Sequence, residues 1–535
     1  MNNKNKIFEF FFREKKLIFE IDSLTTKFDK SIICHYGNNI VLTNLNVKKN
    51  SNNNNFYPLI IHCEERFYAI NKIPNSFTKR EAKPSDEAII LSRLIDRSLR
   101  SFFPNNGNQE IQINNYFLSV EKNDEIKMIS LWNSFLVCFI SKELNFFKEP
   151  LGTVIIKKNN EFFISKNNKE KELISLEMII SSTEEKIIML DIKADEINEK
   201  KLEEEIELAW KEILFLINLF KIIKQKLNIK KEKIFFEKID NNHISLKKEI
   251  NMVLSKLFLE KNNFAWLEKE KLLQKNKDEM VEKYENIEKN DIFDKNLIEK
   301  EWKNCLKIFI KNFVEKKGFR LDNRKIDEIR PIKIKINYIP NAHGSALVCR
   351  GETKVLSVLT LGKTNDRKMI NNTFSYPYYK NFFHHYNFHT SENSRYRGVS
   401  RRELGHGELV EKSFYYLIPE ISKYFDSARI VSEVLSSDGS SSQTSIIASC
   451  KAFESANIFI KKIAGLSMGK IGEKIYTDIN ALEDEFGEFD FKIAGTKKGI
   501  CSSQLDVKNE GVDRNTLKEC LEKSRKARLK ILENM

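Results

Sequence analysis

Two stretches in opposite halves of this chain carry the same pattern, and they limit the folds open to it. Residues 31–43 and 345–357 both read as an apolar run, a turn containing glycine and a second β-branched run, which is typical of a β-hairpin. In each half a basic-Arg-Glu triplet follows, at Lys79–Glu81 and at Arg401–Glu403, ahead of a helix-like run that ends at a proline. Because both signals recur in the same order, the sequence predicts two similar α/β units that arose by duplication.

A region with a different residue pattern separates the two units. Between residues 197 and 312 the apolar residues recur three and four apart without Pro or Gly, which predicts helices. The second unit restarts near Gly318, and the alternation at 333–336 indicates a strand. The predicted fold class is therefore α/β (α+β), with two related cores and an all-helical domain between them. The predicted boundaries are 1–145 and 146–235 for the two parts of the first core, 236–315 for the helical domain, and 316–457 and 458–535 for the two parts of the second core.

The charge of the chain favours a polyanionic partner. Its net charge is +14 over 535 residues, and affinity for a polyanion would then fall with salt. The abundance of Lys, Asn, Ile and Phe, with only 18 Gly and 9 Pro, is also typical of nucleotide bias, which alone can produce this charge. Both interpretations stay open, so single Lys and Asn residues are not taken as signals of function.

The cysteines and apolar runs bear on the cellular compartment. Eight cysteines occur without a C-x-x-C pair, and several directly follow apolar residues, which favours buried free thiols over a metal site or disulfides. The apolar run at 7–12 is short and interrupted by Glu9, unlike a signal peptide. No stretch reaches the roughly 18 uninterrupted apolar residues of a membrane span. We therefore expect a cytoplasmic protein with no membrane segment.

A serine-rich turn in the second unit is a candidate anion site. Ser440, Ser441 and Ser442 follow Gly439 and precede apolar residues at helical spacing. Backbone N–H groups, the positive end of the helix dipole and hydroxyl donors would favour an anion such as phosphate there. Taken alone, an ordinary serine N-cap explains the turn better, so the phosphate hypothesis depends on its neighbours.

A spaced pair of carboxylates with a lysine is the second candidate. The alternation from Phe489 to Ile493 is strand-like and places Asp490 and Lys492 on one face. Together with Asp484, Asp490 could bind Mg²⁺ whose other ligands are water and substrate oxygens. The lysine ammonium could stabilise a phosphoryl group or assist proton transfer. An acidic loop beside an ordinary edge strand is the plain alternative.

Two arginines and a histidine form the third candidate. Arg401 and Arg402 could clamp phosphates in a bidentate manner, and His406 could donate to a phosphate oxygen or titrate near neutral pH. Arginine pairs are common on helix faces, so this signal is also weak alone.

Taken together, the order of the motifs resembles bacterial polynucleotide phosphorylase over nearly the whole chain. The motifs of the second half are residues 341–347, 350–353, 383–388, 401–407, 432–433, 439–442 and 490–496, and those of the first half are residues 57–59, 64–69, 73–77, 80–81 and 94–97. The resemblance implies two RNase PH-like cores, the first catalytically silent, in a ring-shaped homotrimer. It implies processive 3′→5′ phosphorolysis of single-stranded RNA by inorganic phosphate, reversible to polymerisation of nucleoside diphosphates, in mRNA degradation. Mg²⁺, with Mn²⁺ as a substitute, and RNA-degradation partners are implied as well.

The resemblance also implies roles for individual residues. The catalytic set is Asp484, Asp490, Lys492, Ser441 and His406. Inorganic phosphate would be bound by Ser440, Ser441, Ser442 and Arg402, and the metal by Asp484 and Asp490. RNA would be bound by Phe77, Lys79, Arg80, Arg401 and Arg402.

Departures from the family pattern leave alternatives to consider. Leu482 stands where the family usually has a carboxylate, and Lys79 replaces one arginine of a pair. The chain stops at Met535, where family members continue into KH and OB-fold domains, so the expectation is a short form lacking them.

A decayed RNA-binding scaffold and a metal-dependent hydrolytic nuclease are the other function classes, but the combination of serines, carboxylates and lysine favours phosphorolysis. A tRNA-trimming RNase PH would have one core and not two.

Overall fold

The structure, a computed structural model, describes most of the chain. The described residues are 6–25, 27–49, 58–81, 83–103, 109–121, 125–144, 147, 149–158, 175–229, 244–260, 266–287, 295–389 and 398–535. The strands are β1 Lys6–Phe12, β2 Lys15–Ile21, β3 Lys30–Tyr36, β4 Asn39–Lys49, β5 Leu59–Glu64, β6 Gln109–Ser119, β7 Gly152–Lys158, β8 Leu176–Ser182, β9 Ile187–Ile197, β10 Ile332–Ile336, β11 Gly344–Arg350, β12 Thr353–Gly362, β13 Lys368–Ile370, β14 Tyr378–Lys380, β15 Phe382–Phe388, β16 Ser427–Ser436, β17 Ala464–Ile471, β18 Lys474–Thr477, β19 Phe489–Gly495 and β20 Ile500–Val507. The α-helices are α1 Asp86–Arg100, α2 Glu125–Ile140, α3 Glu199–Lys226, α4 Ile244–Ser255, α5 Trp266–Ile287, α6 Lys295–Lys317, α7 Arg401–Phe414, α8 Ile418–Ile421, α9 Ser441–Ser455, α10 Ala481–Phe486 and α11 Arg514–Asn534.

The two halves repeat one sheet arrangement, which confirms the predicted duplication. The first half forms a six-stranded sheet in the order β1-β2-β3-β4-β6-β5, and the second half a five-stranded sheet in the order β10-β11-β12-β16-β15. Both predicted hairpins are present as antiparallel pairs, β3 with β4 and β11 with β12. In both sheets the last two strands of the order pair in parallel.

The two basic triplets lie at different places relative to their helices, although the sequence pattern predicted the same place for both. Lys79–Glu81 lies in the loop before α1, and Ser85 caps that helix by accepting from the Ala88 N–H. Arg401–Glu403 is instead the first turn of α7, because Ser400 and Glu403 form a reciprocal capping box. The expectation that the second triplet precedes its helix is therefore wrong by one helical turn.

A third sheet joins the halves. Its seven strands run in the order β18-β17-β19-β20-β9-β8-β7, so that β20 of the second half pairs antiparallel with β9 of the first. Side chains from both halves form one hydrophobic cluster around this sheet, among them Leu190, Leu466 and Leu505. α2, which is buried all round, packs inside the first half as a core helix.

The middle region is helical, as predicted, and has its own core. α4, α5 and α6 pack around Leu254, Trp302 and Leu306, and the same cluster includes Ile479 and Phe486 at the ends of α10. Leu482, where a carboxylate was expected, packs against this cluster from α10. The short helix that carries Asp484 is therefore seated on the helical region.

Some predictions on chain organisation meet the structure only in part. The boundaries at 145/146 and 235/236 fall outside the described residues, and the one at 315/316 falls inside α6, two residues before its end. The division at 457/458 falls between α9 and β17.

All eight cysteines are free, and all but the half-buried Cys349 are buried. Within the described ranges, no helix is both long and apolar enough to cross a membrane.

Candidate active site

The serine turn opens α9 without acting as an ordinary cap. Ser440 is the N-cap residue, but its backbone is left-handed (φ 55°, ψ 31°) and its side chain caps no helical N–H. The Ser440 hydroxyl donates instead to the carbonyl of Ile479 at 3.3 Å. Gly439 has φ +77°, and a Cβ there would lie 2.8 Å from the Ala481 nitrogen, so only glycine permits this approach to α10. The plain N-cap interpretation is therefore wrong, since the Ser440 side chain caps no N–H of α9 and no other described residue is seen to do so.

Two serines of the turn are buried beside a tyrosine and a histidine. The hydroxyls of Ser441 and Tyr386 lie 2.7 Å apart. The Ser442 hydroxyl is buried and has no hydrogen-bond partner among the described residues, whereas most buried polar side-chain atoms have one. The Tyr386 ring meets the ring of His406 edge to face at 5.1 Å. The first turn of α9 thus presents unused donors toward a cluster of polar side chains.

Asp490 and Lys492 lie side by side on β19, as the alternation predicted. The Lys492 Nζ is 2.7 Å from Asp490 Oδ2 and 3.5 Å from Asp506 Oδ2. Asp490 Oδ1 is buried, and no described residue forms a hydrogen bond with it. Burial raises the pKa of Asp490, and the nearby carboxylates of Asp484 and Asp506 add to this, while Lys492 opposes it. Bringing a further cation to the free oxygen would relieve the repulsion among these carboxylates.

Asp484 lies on α10, close enough for its charge to act on Asp490. Its side chain is 34% exposed, and its Oδ1 lies 2.5 Å from the Nζ of Lys508. Among the described residues no group of three or more His, Cys, Asp or Glu side chains is arranged to hold a metal ion. The unpartnered oxygen of Asp490 nevertheless fits a divalent cation, provided that water and substrate oxygens complete its ligands.

His406 and the two predicted arginines face different surroundings. His406 is buried on α7, and its Nδ1 has no partner. Burial keeps the pKa of His406 well below its usual value, with Lys492 and Arg402 adding to the effect, so the imidazole is neutral at pH 7. Arg402 is exposed beside it. Arg401 instead turns to the first half, where it donates to the carbonyl of Ile61 at 2.9 Å.

The predicted RNA-contacting loop lies apart from the serine turn. Phe77 is fully exposed, and Lys79 has a left-handed backbone with φ 52°. The Ser76 hydroxyl holds the turn by donating to the Arg80 carbonyl at 2.8 Å and accepting from its N–H at 3.1 Å. Arg80 lines a cavity of about 820 Å³ that also includes His62. This cavity contains neither the serines nor the carboxylates of the site.

Arg401 connects the region of the serine turn, to which α7 belongs, with the cavity that Arg80 lines. Its Nη2 lies 3.3 Å from Nδ1 of His62, on the wall of the cavity that Arg80 lines. Of the predicted residues, the structure thus brings together the three serines, the two aspartates, Lys492, His406 and Arg402. Phe77, Lys79, Arg80 and Arg401 form a separate group.

Sequence reasoning missed the contribution of α1 from the first half. Arg97 is buried on α1 and donates to a carboxylate oxygen of Asp506 and, at 3.0 Å, to one of Asp191. It also donates to the Leu505 carbonyl on β20 at 3.0 Å. Arg93 lies one turn earlier, where its charge acts on His406. The spacing of two arginines by four on one helix was the available signal.

A buried ion network beneath the site was also missed. Asp478 is fully buried and pairs with Arg330 at 2.7 Å and Arg350 at 3.0 Å. Arg330 also donates to the carbonyl of Asp438 at 2.5 Å, while Asp438 accepts from the Ala481 N–H at 3.1 Å. The network therefore ties the serine turn to the first residue of α10. Arg320 and Glu483 of α10 form a further buried pair.

Comparisons with known proteins identify the family of the chain. A model of the "3′ exoribonuclease family, domain 1" matches residues 13–141 and 328–458, one stretch in each half. The polyribonucleotide nucleotidyltransferase of Bacillus licheniformis is 33% identical over 548 residues, covering 100% of this chain and 76% of its own length. That of Anoxybacillus flavithermus is 34% identical over 547 residues, with 100% and 77% covered. A chain of the Archaeoglobus fulgidus exosome matches 43% of this chain at 16% identity, but its TM-score of 0.36 is too low to support an argument.

The relatives match from end to end of this chain, and the family model recurs once in each half. The chain therefore belongs to the polyribonucleotide nucleotidyltransferase family of phosphorolytic 3′→5′ exoribonucleases.

Proposed function

We propose that this chain shortens single-stranded RNA from its 3′ end by phosphorolysis at the site formed by the serine turn and β19. An oxygen of inorganic phosphate attacks the phosphorus of the terminal linkage, the bond to the 3′ oxygen of the preceding nucleotide breaks, and a nucleoside diphosphate leaves. The reverse reaction extends RNA from nucleoside diphosphates. The observation that carries the proposal is the uncapped start of α9, with a buried unpartnered Ser442 hydroxyl, beside a carboxylate with an unused oxygen.

The serine turn holds the attacking phosphate. The first N–H groups of α9 and the hydroxyls of Ser441 and Ser442 supply donors, and the helix dipole adds positive potential. The Ser440 hydroxyl would join them by leaving the Ile479 carbonyl to which it donates. Arg402 is exposed at the edge of the same cluster, where its charge acts on Tyr386 and His406. A bidentate guanidinium contact at this edge would orient the phosphate.

Asp484 and Asp490 are the residues that would hold Mg²⁺, or Mn²⁺ in its place. Such a cation, when bound, neutralises charge that develops on the phosphoryl oxygens. Lys492 keeps its charge beside them, because Asp490, Asp506 and Asp484 raise its pKa against the effect of burial. Its ammonium therefore stabilises the same developing charge. His406 is neutral, so it can donate one ring N–H to a phosphate oxygen without adding charge.

The remaining proposals concern the RNA and the assembly. Phe77, Lys79 and Arg80 are exposed in one loop, where an aromatic face and two cations suit a single strand. We further propose that the chain works in the cytoplasm as a ring-shaped homotrimer in mRNA degradation, with other RNA-degrading proteins as partners.

Incubation of the purified chain with single-stranded RNA and Mg²⁺, with and without inorganic phosphate, tests the function. We expect nucleoside diphosphates, identified by mass, only when phosphate is present. Nucleoside monophosphates formed without phosphate would mean hydrolysis and overturn the proposal. RNA that is bound but never shortened would favour a scaffold role.

Replacing Ser441 by alanine tests the phosphate site. Ser441→Ala should raise the KM for phosphate by about tenfold, the lower value for one hydrogen bond to a charged group, with a smaller change in kcat. Initial rates at varied phosphate concentration measure this. Ser449→Ala removes a buried hydroxyl from the interior of the same helix and should leave the phosphate dependence unchanged. An unaltered KM in Ser441→Ala would remove the serine from the phosphate site.

A further inference from the structure

Tyr386 lies in the candidate site, although the proposed phosphate and metal sites assign it no role. Buried residues alternate along β15, and Tyr386 is one of them, with only 3% of its surface exposed. Its ring packs against His406 of α7, and its hydroxyl reaches Ser441, the first residue of α9. One tyrosine of the sheet therefore contacts both helices that form the site.

The Tyr386 hydroxyl forms one hydrogen bond within the described part of the chain. Its partner is the Ser441 hydroxyl, at 2.7 Å, which is the usual distance for an O–H···O bond. Each hydroxyl carries one proton and can also accept at its oxygen. One of the two therefore donates to the other, and the pair has one proton left to donate to a third group.

The acidity of the two hydroxyls determines which proton is left. A phenol, with an ordinary pKa of about 10, is a stronger acid and donor than an alcohol, and its oxygen is a weaker acceptor because it shares electrons with the ring. Burial raises the pKa of Tyr386 to about 12, so it keeps its proton at neutral pH. Tyr386 therefore donates to Ser441, and the remaining proton belongs to Ser441.

The Ser441 proton lies where the proposed phosphate binds. Ser441 begins α9, and the N–H groups of a first helical turn have no partner within the helix. An anion at this position only accepts hydrogen bonds there, so it requires a hydroxyl whose proton is available. A bond donated by Tyr386 also polarises the Ser441 O–H group, which strengthens the bond that Ser441 donates in turn.

We propose that Tyr386 is a positioning residue for the attacking phosphate: its hydroxyl donates to Ser441, so that the Ser441 proton is directed to a phosphate oxygen. The inference rests on the proposed function. Tyr386 acts through Ser441 and does not contact the phosphate itself. The phosphate site thus extends from the serine turn to β15, on the neighbouring sheet.

Replacing Tyr386 by phenylalanine removes the hydroxyl and keeps the ring against His406. Tyr386→Phe should raise the KM for phosphate about threefold, less than Ser441→Ala, because Ser441 keeps its proton but loses its orientation and polarisation. The kcat and the KM for RNA should stay near their original values, whereas general damage to the site would change them as well. Initial rates at varied phosphate and RNA concentrations measure this.

Tyr476→Phe is the matched control for this substitution. It removes another buried tyrosine hydroxyl from the same half, one that has no hydrogen-bond partner among the described residues. All three kinetic constants should stay unchanged in this variant. An unaltered KM for phosphate in Tyr386→Phe would overturn the inference.

A double-mutant cycle tests whether Tyr386 acts through Ser441. In the Ser441→Ala background, Tyr386→Phe should cause no further rise in the KM for phosphate, because the hydroxyl that it positions is already absent. In the Ser449→Ala background, which lacks a buried hydroxyl further along α9, the threefold rise should remain. An equal rise in both backgrounds would mean that Tyr386 binds phosphate directly and would contradict the inference.

The affinity for inorganic phosphate separates this inference from the proposed function. If the original chain releases no nucleoside diphosphates, the proposed function fails, but isothermal titration calorimetry with phosphate still tests Tyr386. We expect about threefold weaker binding by Tyr386→Phe and no change in Tyr476→Phe. Equal affinities would contradict the inference, and an original chain that binds no phosphate would overturn both proposals. If Tyr386→Phe does not fold, 3-fluorotyrosine at position 386 supplies a more acidic donor of similar size, which should lower the KM for phosphate; an unchanged or higher KM would contradict the inference.

Discussion

The variant Asp490→Asn should bind RNA with near-original affinity and release almost no nucleoside diphosphate. The amide keeps the shape of the carboxylate and can still accept from Lys492, but it removes the negative charge that would hold a divalent cation. Loss of that electrostatic stabilisation is worth several kcal/mol of barrier, or about a 1,000-fold fall in turnover. The fold should be kept, because Lys492 retains Asp506 as a second counter-ion at 3.5 Å.

Single-turnover phosphorolysis measures the turnover of Asp490→Asn. Fluorescence anisotropy, run on the same preparation, measures its affinity for RNA. Asp327→Asn removes an aspartate of the same half that is 65% exposed, and it should leave both unchanged. If RNA binding falls as far as turnover in Asp490→Asn, the residue supports binding or folding and its catalytic assignment is wrong.

The variant Asp478→Asn should strongly destabilise the second half. Asp478 is fully buried and neutralises Arg330 and Arg350. Removing its charge leaves buried guanidinium groups without a counter-ion, which costs about 3–5 kcal/mol of the free energy of unfolding. The serine turn and α10 should loosen together, because Arg330 also holds the carbonyl of Asp438.

The same residue predicts how stability depends on pH. Although burial raises the pKa of Asp478, Arg330 and Arg350 depress it far below its usual value in the folded state. A carboxylate whose folded pKa is below its unfolded value of about 4 stabilises the protein above that pH. The stabilisation is lost as the pH falls further. The difference in stability between the original chain and Asp478→Asn should therefore be full at pH 7 and shrink below about pH 4.

Calorimetry across this pH range, with hydrogen exchange of the backbone around Gly439, would follow both effects. Asp426→Asn, at an aspartate that is 56% exposed on the surface, serves as the control. A Tm for Asp478→Asn within 1–2 °C of the original (less than about 1 kcal/mol by the usual scaling) would show that the network contributes specificity of structure and little stability.

Local patterns in the sequence were sufficient to predict the duplicated hairpins and the helical region between the two halves. Alternation and turn residues act over a few positions, so β3 with β4, and β11 with β12, could be recognised from sequence. The placement of Asp490 beside Lys492 follows from the same alternation and agrees with their 2.7 Å contact. The roles assigned to the site residues stay predictions.

Contacts between segments far apart in the chain could not be predicted, because no local sequence pattern indicates them. Arg97 and Asp506 are 409 positions apart, and nothing in either neighbourhood indicates that they meet. The two predicted arginines were treated as one clamp, but the first turn of α7 directs Arg401 toward Ile61 and leaves Arg402 beside His406. The buried partners of Asp478 lie more than a hundred positions upstream, so sequence spacing could not reveal them.

The pairing of β9 with β20 limits how far the two halves can diverge in evolution. Had the halves been separate domains on a linker, the half without the candidate site could have drifted or been deleted. Here its loss would leave the edge of β20 without a neighbour, an exposed template for aggregation, and would withdraw Arg97 from Asp506. Selection on the half that carries the candidate site therefore acts on the other half as well, along the strands that the two share.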